Sequence, residues 1–371
     1  MNKTLVAIIV VVILIIGGWA IYQNQNPMPA SGEPVKVGAV ISLTGYAAAQ
    51  GELTQKAIAM AVEDINNQGG INGRPIAVIV EDDHTEAKTA VTAYKKLVNT
   101  DKVQAVVGSL WDFTTQPLFP LADQDKITLI SPSNFRIAGS FEPGTNSFVM
   151  LSDFNKVVSK LGDYLKQSEV KKLAVVRFNS GFGAEIAKTL NETMKALGQE
   201  EVIDEPYNEM GSNDFRTTVL KLKQAGVDTV FLDALDVDTL NFLKRSKELG
   251  FNPQVITHVL IVDALSNADI DKSLLEGVVV LNWEVTSADF AKKFESKYGV
   301  KPTKSADKAY AALEVLAQAL SKVDDKTQLA TYLEGNEFKT AIGTIKFTPD
   351  HAVQDIEVQI QSIKNGKLES I

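Results

Sequence analysis

Short β-branched runs alternate with amphipathic helical stretches along most of the chain, and this alternation constrains the fold more than any other feature. VKVGAVI (Val35–Ile41), IAVIVED (Ile76–Asp82) and VQAVVG (Val103–Gly108) are typical of buried strands. A second series follows, with strands such as KLAVVRF (Lys172–Phe178) and VDTVFLD (Val227–Asp233). Strands separated by helices of about 10–15 residues form right-handed βαβ units and parallel sheets. The sequence therefore predicts an α/β protein with two doubly wound lobes.

The composition excludes several classes of function. Lysine and arginine number 37 against 46 aspartates and glutamates, which gives a net charge of −9. A phosphate backbone would be repelled by this charge, so we expect no nucleic-acid partner. The chain has no cysteine and three histidines, which excludes disulfides, thiolate metal sites and cysteine nucleophiles. We expect neither a metal nor a cofactor. A chain of 371 residues is long enough for two domains with separate cores.

The N-terminus differs from the rest of the chain. Thr4–Tyr22 carries no charge, and about 20 apolar residues match the thickness of a bilayer core. A cleavable signal peptide with a small-x-small site at Gly18–Ala20 is the alternative, but the apolar run continues past that site, which favours a retained anchor. Lys3 on the cytoplasmic side would direct the remainder outward. We predict a membrane anchor or signal over 1–22, a flexible linker over 23–34, and an extracytoplasmic domain tethered to the membrane.

Loops that follow the predicted strands are the candidate functional segments. Ligands of open α/β sheets bind beyond the carboxyl ends of the strands, and two facing lobes would bring these loops to one cleft. The segments are Ser42–Gly51, Ser109–Thr115, Pro132–Arg136, Asn179–Gly183, Ala234–Asp238 and Thr257–Val262.

Several segments also carry a family resemblance. The DIN-x-x-GGI-x-G stretch from Asp64 to Gly73, the VVGSLWDFTTQP stretch and GTIKFTPD resemble the type I periplasmic binding proteins, in particular the leucine/isoleucine/valine-binding group of ABC importers. The resemblance runs from about Val35 to the C-terminus. It implies two Rossmann-like lobes joined by three crossings, near Ser152, Trp283 and Gly343. The first lobe would comprise 35–152 plus 284–342, and the second 153–283 plus 343–371.

The resemblance also implies a function. A member of this group would be a non-enzymatic solute-binding protein that captures an amino acid, or a related small amine or aromatic ligand, by closing its lobes. It would deliver that ligand to ABC permease subunits. In amino-acid-binding members, two loops of the first lobe grip the α-carboxylate of the ligand. Together with the loop segments above, the match predicts these ligand-binding residues: Ser109, Leu110, Trp111, Asp112, Ser133, Asn134, Phe135, Phe182, Leu235, Asp236 and Val259.

Three positions depart from the pattern of the group. Asp112 and Phe135 stand where hydroxyls would grip a carboxylate, and Val259 stands where an acid would meet the ammonium of the ligand. A shift of the match by a few residues would bring in Asp263 instead. The departures favour an amine-bearing or aromatic ligand over a plain branched-chain amino acid. Asp112 also has a second interpretation, as the N-cap of the following helix, and one residue can do both.

Three other interpretations stay open on sequence grounds. Gly181–Gly183 opens a helix after a strand, with Asp204 about 20 residues on, as in a dinucleotide site, although Ile186 holds the third glycine position. The acidic run Glu81–His84 is a candidate metal site, but acids at the start of a helix also serve as caps. A ligand-binding sensory ectodomain that signals through a partner protein is the alternative to a transport receptor.

Overall fold

The computed structural model describes residues 30–371 except for 210, 212, 267–269, 284–285 and 303–304. The predicted anchor or signal over 1–22, and the linker up to residue 29, lie outside the described residues. Within the described part of the chain, no helix is both long and apolar enough to cross a bilayer.

The first sheet holds five parallel strands in the order β2-β1-β3-β4-β5. Helices join β1 to β4 in succession, as the alternating pattern predicts, and a segment without a helix leads from β4 to β5. The elements are β1 (Val35–Ile41), α1 (Ala48–Asn67), β2 (Ile76–Asp82), α2 (Ala87–Lys96), β3 (Ala105–Gly108), α3 (Asp112–Thr115), α4 (Phe119–Asp125), β4 (Thr128–Ser131) and β5 (Ser147–Val149).

The second sheet holds seven strands in the order β14-β13-β10-β9-β8-β6-β7. β13 pairs in antiparallel direction with both β10 and β14, and the other neighbouring strands are parallel. Its elements are α5 (Phe154–Gln167), β6 (Leu173–Phe178), α6 (Gly181–Ala196), β7 (Ile203–Tyr207), α7 (Arg216–Gln224), β8 (Thr229–Asp233), α8 (Asp236–Glu248), β9 (Gln254–His258), β10 (Val279–Asn282), β13 (Gln359–Lys364) and β14 (Lys367–Ser370). The remaining elements are α9 (Ala288–Tyr298), α10 (Ala306–Leu320), α11 (Leu329–Gly335), β11 (Glu337–Thr340) and β12 (Gly343–Lys346).

Both sheets are covered by helices on both faces, which confirms the doubly wound fold. Successive side chains of a strand point to opposite faces, so an all-apolar strand supplies two cores at once. In β1, Val37 and Ala39 pack with α1 and α10, whereas Val40 packs in the core shared with α2. In β6, Val175 and Val176 likewise enter different cores. The continuous apolar runs in the sequence therefore reflect burial on two sides.

The chain passes between the sheets three times, and the third crossing lies later than the predicted position near Gly343. β12 pairs with β11, and Ile345 and Phe347 are buried in the core of the first lobe. The ring of Phe347 lies 4.9 Å from that of Phe148 in β5, which keeps this segment on the first lobe. The chain joins the second sheet only at β13. The other predicted lobe limits stay a prediction.

One glycine of α1 is required by a close approach of two backbones. A Cβ atom at Gly51 would lie 1.8 Å from the carbonyl oxygen of Ser42, which follows β1. No side chain fits at this distance, so we expect Gly51→Ala to lower the free energy of unfolding by about 1–3 kcal/mol. Chemical denaturation of the purified variant measures the change.

Gly335, at the end of α11, provides the matched control. A Cβ there would meet nothing within 4 Å, so Gly335→Ala should be neutral or slightly stabilising. Equal stability of the two alanine variants would mean that α1 and the Ser42 loop separate easily, contrary to the close contact seen here.

Candidate functional site

A cavity lies between the carboxyl ends of the strands of both lobes. In each sheet the strand order reverses, between β1 and β3 and between β6 and β8, and such a switch point opens a crevice for ligands. The cavity comprises about 890 Å³, including its opening to solvent. The structure brings most of the predicted residues to its wall, namely Leu110, Trp111, Asp112, Ser133, Asn134, Phe135, Phe182, Leu235 and Val259.

Two predicted residues, Ser109 and Asp236, are not part of this wall. Ser109 is fully buried, its hydroxyl donates to the carboxylate of Asp83, and its Oγ lies 2.8 Å from Oγ1 of Thr114. The Asp236 carboxylate accepts the backbone N–H of Val237 at 2.8 Å, at the start of α8. Both side chains stabilise loops beneath or beside the cavity.

The acidic run that suggested a metal site has a structural role. Asp82 accepts the backbone N–H of Leu43 at 2.9 Å and the hydroxyl of Thr44 at 2.7 Å, and so fixes the loop after β1. Asp83 accepts the N–H of Thr85 at 2.8 Å in addition to the Ser109 hydroxyl. Among residues 30–371, outside the gaps named above, no three potential metal ligands gather. These carboxylates hold together the loops on which the cavity wall stands.

Two polar side chains of the first-lobe wall, Ser133 and Asn134, are already used within the protein, whereas the buried Nε1 of Trp111 has no partner among the described residues. The Ser133 hydroxyl donates to the carbonyl oxygen of Leu110. The Asn134 amide donates to Thr115 Oγ1 at 2.9 Å and to Ser131 Oγ at 2.8 Å. A carboxylate of a ligand would therefore have to displace internal hydrogen bonds to be held by these groups.

Asp112 is the first residue of α3, and Trp111 occupies the N-cap position. The prediction that Asp112 is the N-cap is therefore wrong by one residue. The carboxylate nevertheless accepts the N–H of Phe113 at 2.8 Å, while also facing the cavity. Burial raises the pKa of Asp112, and the nearby Asp233 carboxylate adds to the rise, while the N–H groups of Phe113 and Phe182 partly offset it. The side chain thus accepts a backbone N–H at the start of α3 and also lines the cavity.

The raised pKa of Asp112 predicts that the protein without ligand becomes less stable as pH rises. The folded state binds the carboxyl proton more tightly than the unfolded state, so the Asp112 contribution is fully present below the unfolded pKa and is lost as pH rises through the folded pKa. The measurement is the free energy of unfolding against pH for the parent and Asp112→Asn. We expect their difference to grow over this window in favour of the variant. A difference that is independent of pH would contradict the assignment.

Aromatic rings from both lobes form much of the cavity wall. Phe135 of the first lobe stacks on Phe182 of the second, with centroids 6.3 Å apart and planes 7° from parallel. The edge of Trp283 meets Phe135 at 5.1 Å, and Phe154 packs edge-on against both phenyl rings. An apolar, aromatic wall with few polar groups is typical of small-molecule sites.

Of four further wall residues, Tyr207, Asp233 and Trp283 lie outside the candidate segments, whereas His258 lies inside the segment Thr257–Val262. Three of them are the last residues of β7, β8 and β9, and Trp283 directly follows β10. Most candidate segments begin just after the strands, but a terminal strand residue already faces the cleft. Extending each segment by one residue toward the strand would have found Asp233.

Tyr207, Asp233 and His258 form a connected group. Nε2 of His258 lies 3.0 Å from Oδ1 of Asp233, and the Tyr207 hydroxyl donates to the Asp233 carbonyl oxygen at 3.2 Å. Burial raises the pKa of Tyr207, and the carboxylates of Asp233 and Asp238 raise it further, so this phenol stays neutral. Asp233 is held in place from two sides at the wall of the cavity.

The glycine pair that suggested a dinucleotide site is explained by close contacts. Ser180 is the N-cap of α6, and its Oγ accepts the N–H of Gly183 at 3.0 Å. A Cβ at Gly183 would lie 2.5 Å from the carbonyl oxygen of Phe178 and 2.6 Å from Oδ2 of Asp233. The turn therefore needs a glycine to let α6 approach β6 and the Asp233 carboxylate.

Comparisons with known proteins agree with this architecture. Residues 34–367 match a family model described as periplasmic binding protein. The Leu/Ile/Val-binding protein of Escherichia coli is 25% identical over 332 residues, which are 85% of this chain and 87% of that protein.

Solved structures of similar shape have been determined with ligands. The branched-chain amino acid transporter substrate binding protein LivJ from Streptococcus pneumoniae, in complex with isoleucine, has a TM-score of 0.77 at 22% identity, over 91% of this chain and 98% of LivJ. A solute binding protein of an ABC transporter from R. palustris, in complex with benzoate, has a TM-score of 0.76 at 19% identity, over 91% of this chain and 95% of that one. At these identities the likeness is one of fold.

Proposed function

Because the chain belongs to the periplasmic binding protein family, we propose that it is an extracytoplasmic solute receptor of an ABC importer. The observation that carries the proposal is the cavity, whose wall combines the strand ends of both lobes. A ligand in such a cavity contacts both lobes only when they are close together. Binding therefore shifts the protein toward the closed state, and the closed state is the form that a transporter would recognise.

The ligand that we propose is an amino acid or a related small amine or aromatic compound. The wall combines several aromatic rings with the carboxylates of Asp112 and Asp233, and no lysine or arginine contributes to it among the described residues. The E. coli relative is named for leucine, isoleucine and valine, and the two solved structures contain isoleucine and benzoate. Those ligands define the size of molecule that this fold accommodates, while the acidic wall here favours a positive charge.

The test is calorimetric titration of the purified full-length chain in mild detergent with leucine, isoleucine, phenylalanine, benzoate, isoamylamine and 2-phenylethylamine. We expect at least one of these compounds to bind with one site per chain and to raise the melting temperature. If none binds and none shifts the thermal transition, the proposal of a small-molecule receptor fails.

The identity of the partner protein distinguishes a transport receptor from a sensory receptor. We propose ABC permease subunits as the partner, and the apolar segment Thr4–Tyr22 as a tether that keeps the receptor near the membrane. Affinity purification from membranes of the native cell should recover permease subunits. Recovery of a histidine kinase or a chemoreceptor in their place would favour the sensory alternative.

A further inference from the structure

Asp233 is a buried carboxylate that is only half satisfied. The residue is 7% exposed, and its Oδ1 lies 3.0 Å from Nε2 of His258. The other oxygen, Oδ2, is buried and has no hydrogen-bond partner within the described residues. His258 Nδ1 accepts the N–H of Leu260 at 3.5 Å, so Nε2 is the ring atom that donates to Asp233. A buried carboxylate oxygen without a donor is costly, and a donor from outside the chain would remove that cost.

The basic residue beside Asp233 is paired elsewhere. Arg177 in β6 stands next to Asp233 in the parallel register, but it does not reach the cavity wall. Its Nε and Nη2 donate to the carboxylate of Asp204 at 2.7 and 2.9 Å, and its buried Nη1 has no partner among the described residues. From the opposite lobe, Asp112 adds a second carboxylate to the same cavity. Within the part of the chain that the structure describes, the charged groups of the wall are therefore acidic.

Three polar side chains of the first-lobe loops are engaged inside the protein, and Nε1 of Trp111 is a neutral donor in the wall without a partner among the described residues. The hydroxyls of Ser109 and Ser133 and the amide of Asn134 all donate to partners inside the first lobe. A ligand carboxylate would enter a cavity with two acids and would find these donors already used. The energetic balance disfavours an anion or a zwitterion and favours a simple cation.

We propose that Asp233 binds the cationic head of the ligand, and that this ligand is an amine with an aromatic or branched aliphatic body and no carboxylate. The proposal rests on the receptor function above and deepens it by naming the residue and the ligand class. The ammonium group donates to the carboxylate of Asp233, and Asp112 approaches the same charge when the lobes close. The ring faces of Phe182, Tyr207 and Trp283 provide both apolar contact and cation–π attraction.

The test uses probes that differ only in their charged groups. Calorimetry of the full-length chain compares 2-phenylethylamine with phenylalanine and 3-phenylpropionate, and isoamylamine with leucine. We expect each amine to bind at least about tenfold more tightly than its carboxylate-bearing counterparts, since only the amine avoids placing an anion beside Asp112 and Asp233. Tighter binding of phenylalanine, leucine or 3-phenylpropionate overturns the inference and leaves the receptor function standing. Binding of none of them, nor of benzoate or isoleucine, removes both.

Two variants assign the effect to Asp233. Asp233→Asn keeps an oxygen for His258 but loses the charge, so amine affinity should fall by about thirtyfold or more. Asp236→Asn, three residues away, half-buried and outside the cavity wall, should change amine affinity less than about twofold. The melting temperature of Asp233→Asn should equal or exceed that of the parent, because a buried unpaired charge is lost. Parent-like amine affinity in a folded Asp233→Asn variant contradicts the assignment.

Discussion

Asp112→Asn is expected to weaken the binding of a cationic amine by about a hundredfold, while the affinity for a neutral ligand of the same shape hardly changes. The substitution keeps an oxygen to accept the N–H of Phe113 at the start of α3, so the local structure is retained. It removes the only charge that the wall of the first lobe contributes among the described residues. A desolvated charge pair is worth about 2–5 kcal/mol when one partner is truncated, which sets the size of the effect. Calorimetry with 2-phenylethylamine and 2-phenylethanol measures it.

Asp289→Asn is the control that distinguishes a role of Asp112 in ligand binding from a role limited to the start of its helix. Asp289 is also an acid in the first turn of a helix, α9, but it is exposed and lies outside the cavity wall. Its replacement should leave amine affinity unchanged. If Asp112→Asn behaves in the same way as Asp289→Asn toward the amine, Asp112 serves only the local structure of α3.

Phe135→Ala is expected to lower the free energy of unfolding by about 3–5 kcal/mol, the usual cost of emptying a buried phenylalanine site. Phe135 is 5% exposed and belongs to the first lobe, yet its ring contacts Phe154, Phe182 and Trp283. Removal of the ring therefore also loosens the contact between lobes, and ligand affinity should fall with stability. Denaturant titration and calorimetry on the same preparation measure both.

Phe113→Ala is the matched control for Phe135→Ala. Phe113 is half-buried, lies outside the cavity wall, and its ring is 6.4 Å from that of Trp111. Its replacement should cost clearly less stability and leave ligand affinity near that of the parent. Comparable losses in the two variants would argue that aromatic burial in general, and not the contact between lobes, sets the effect.

Most of the fold was predictable because burial on two sides leaves a strong pattern. Strands such as β1 and β6 are mostly apolar and are separated by helices of regular period, so their order and their parallel pairing follow from chain connectivity. The strand β5 was missed because it has only three residues, too few for a period to appear. The third crossing was placed too early because Phe347 packs against Phe148, a contact between residues far apart in sequence.

The cavity was predictable in its location but not in its hydrogen bonding. Parallel strands direct their carboxyl ends to one edge, so Trp111, Asp112 and Phe182 could be assigned to the cleft from the loops that carry them. Ser109 looked identical to a ligand-binding serine, but its hydroxyl is turned to Asp83, which lies 26 positions earlier in the chain. Likewise, Oδ2 of Asp233 lacks a partner because His258, a residue of another strand, faces Oδ1. Such pairings are set by tertiary contacts, and the local sequence does not encode them.

A crystal structure of the protein with bound 2-phenylethylamine is the most direct test of the central claim, that the cleft between the lobes binds an amine through its two carboxylates. We expect the nitrogen to lie about 2.7–3.2 Å from an oxygen of the Asp233 carboxylate and to face Asp112, with the phenyl ring among Phe135, Phe182 and Trp283. An amine whose nitrogen points away from both carboxylates, or that binds outside the cavity, would contradict the account.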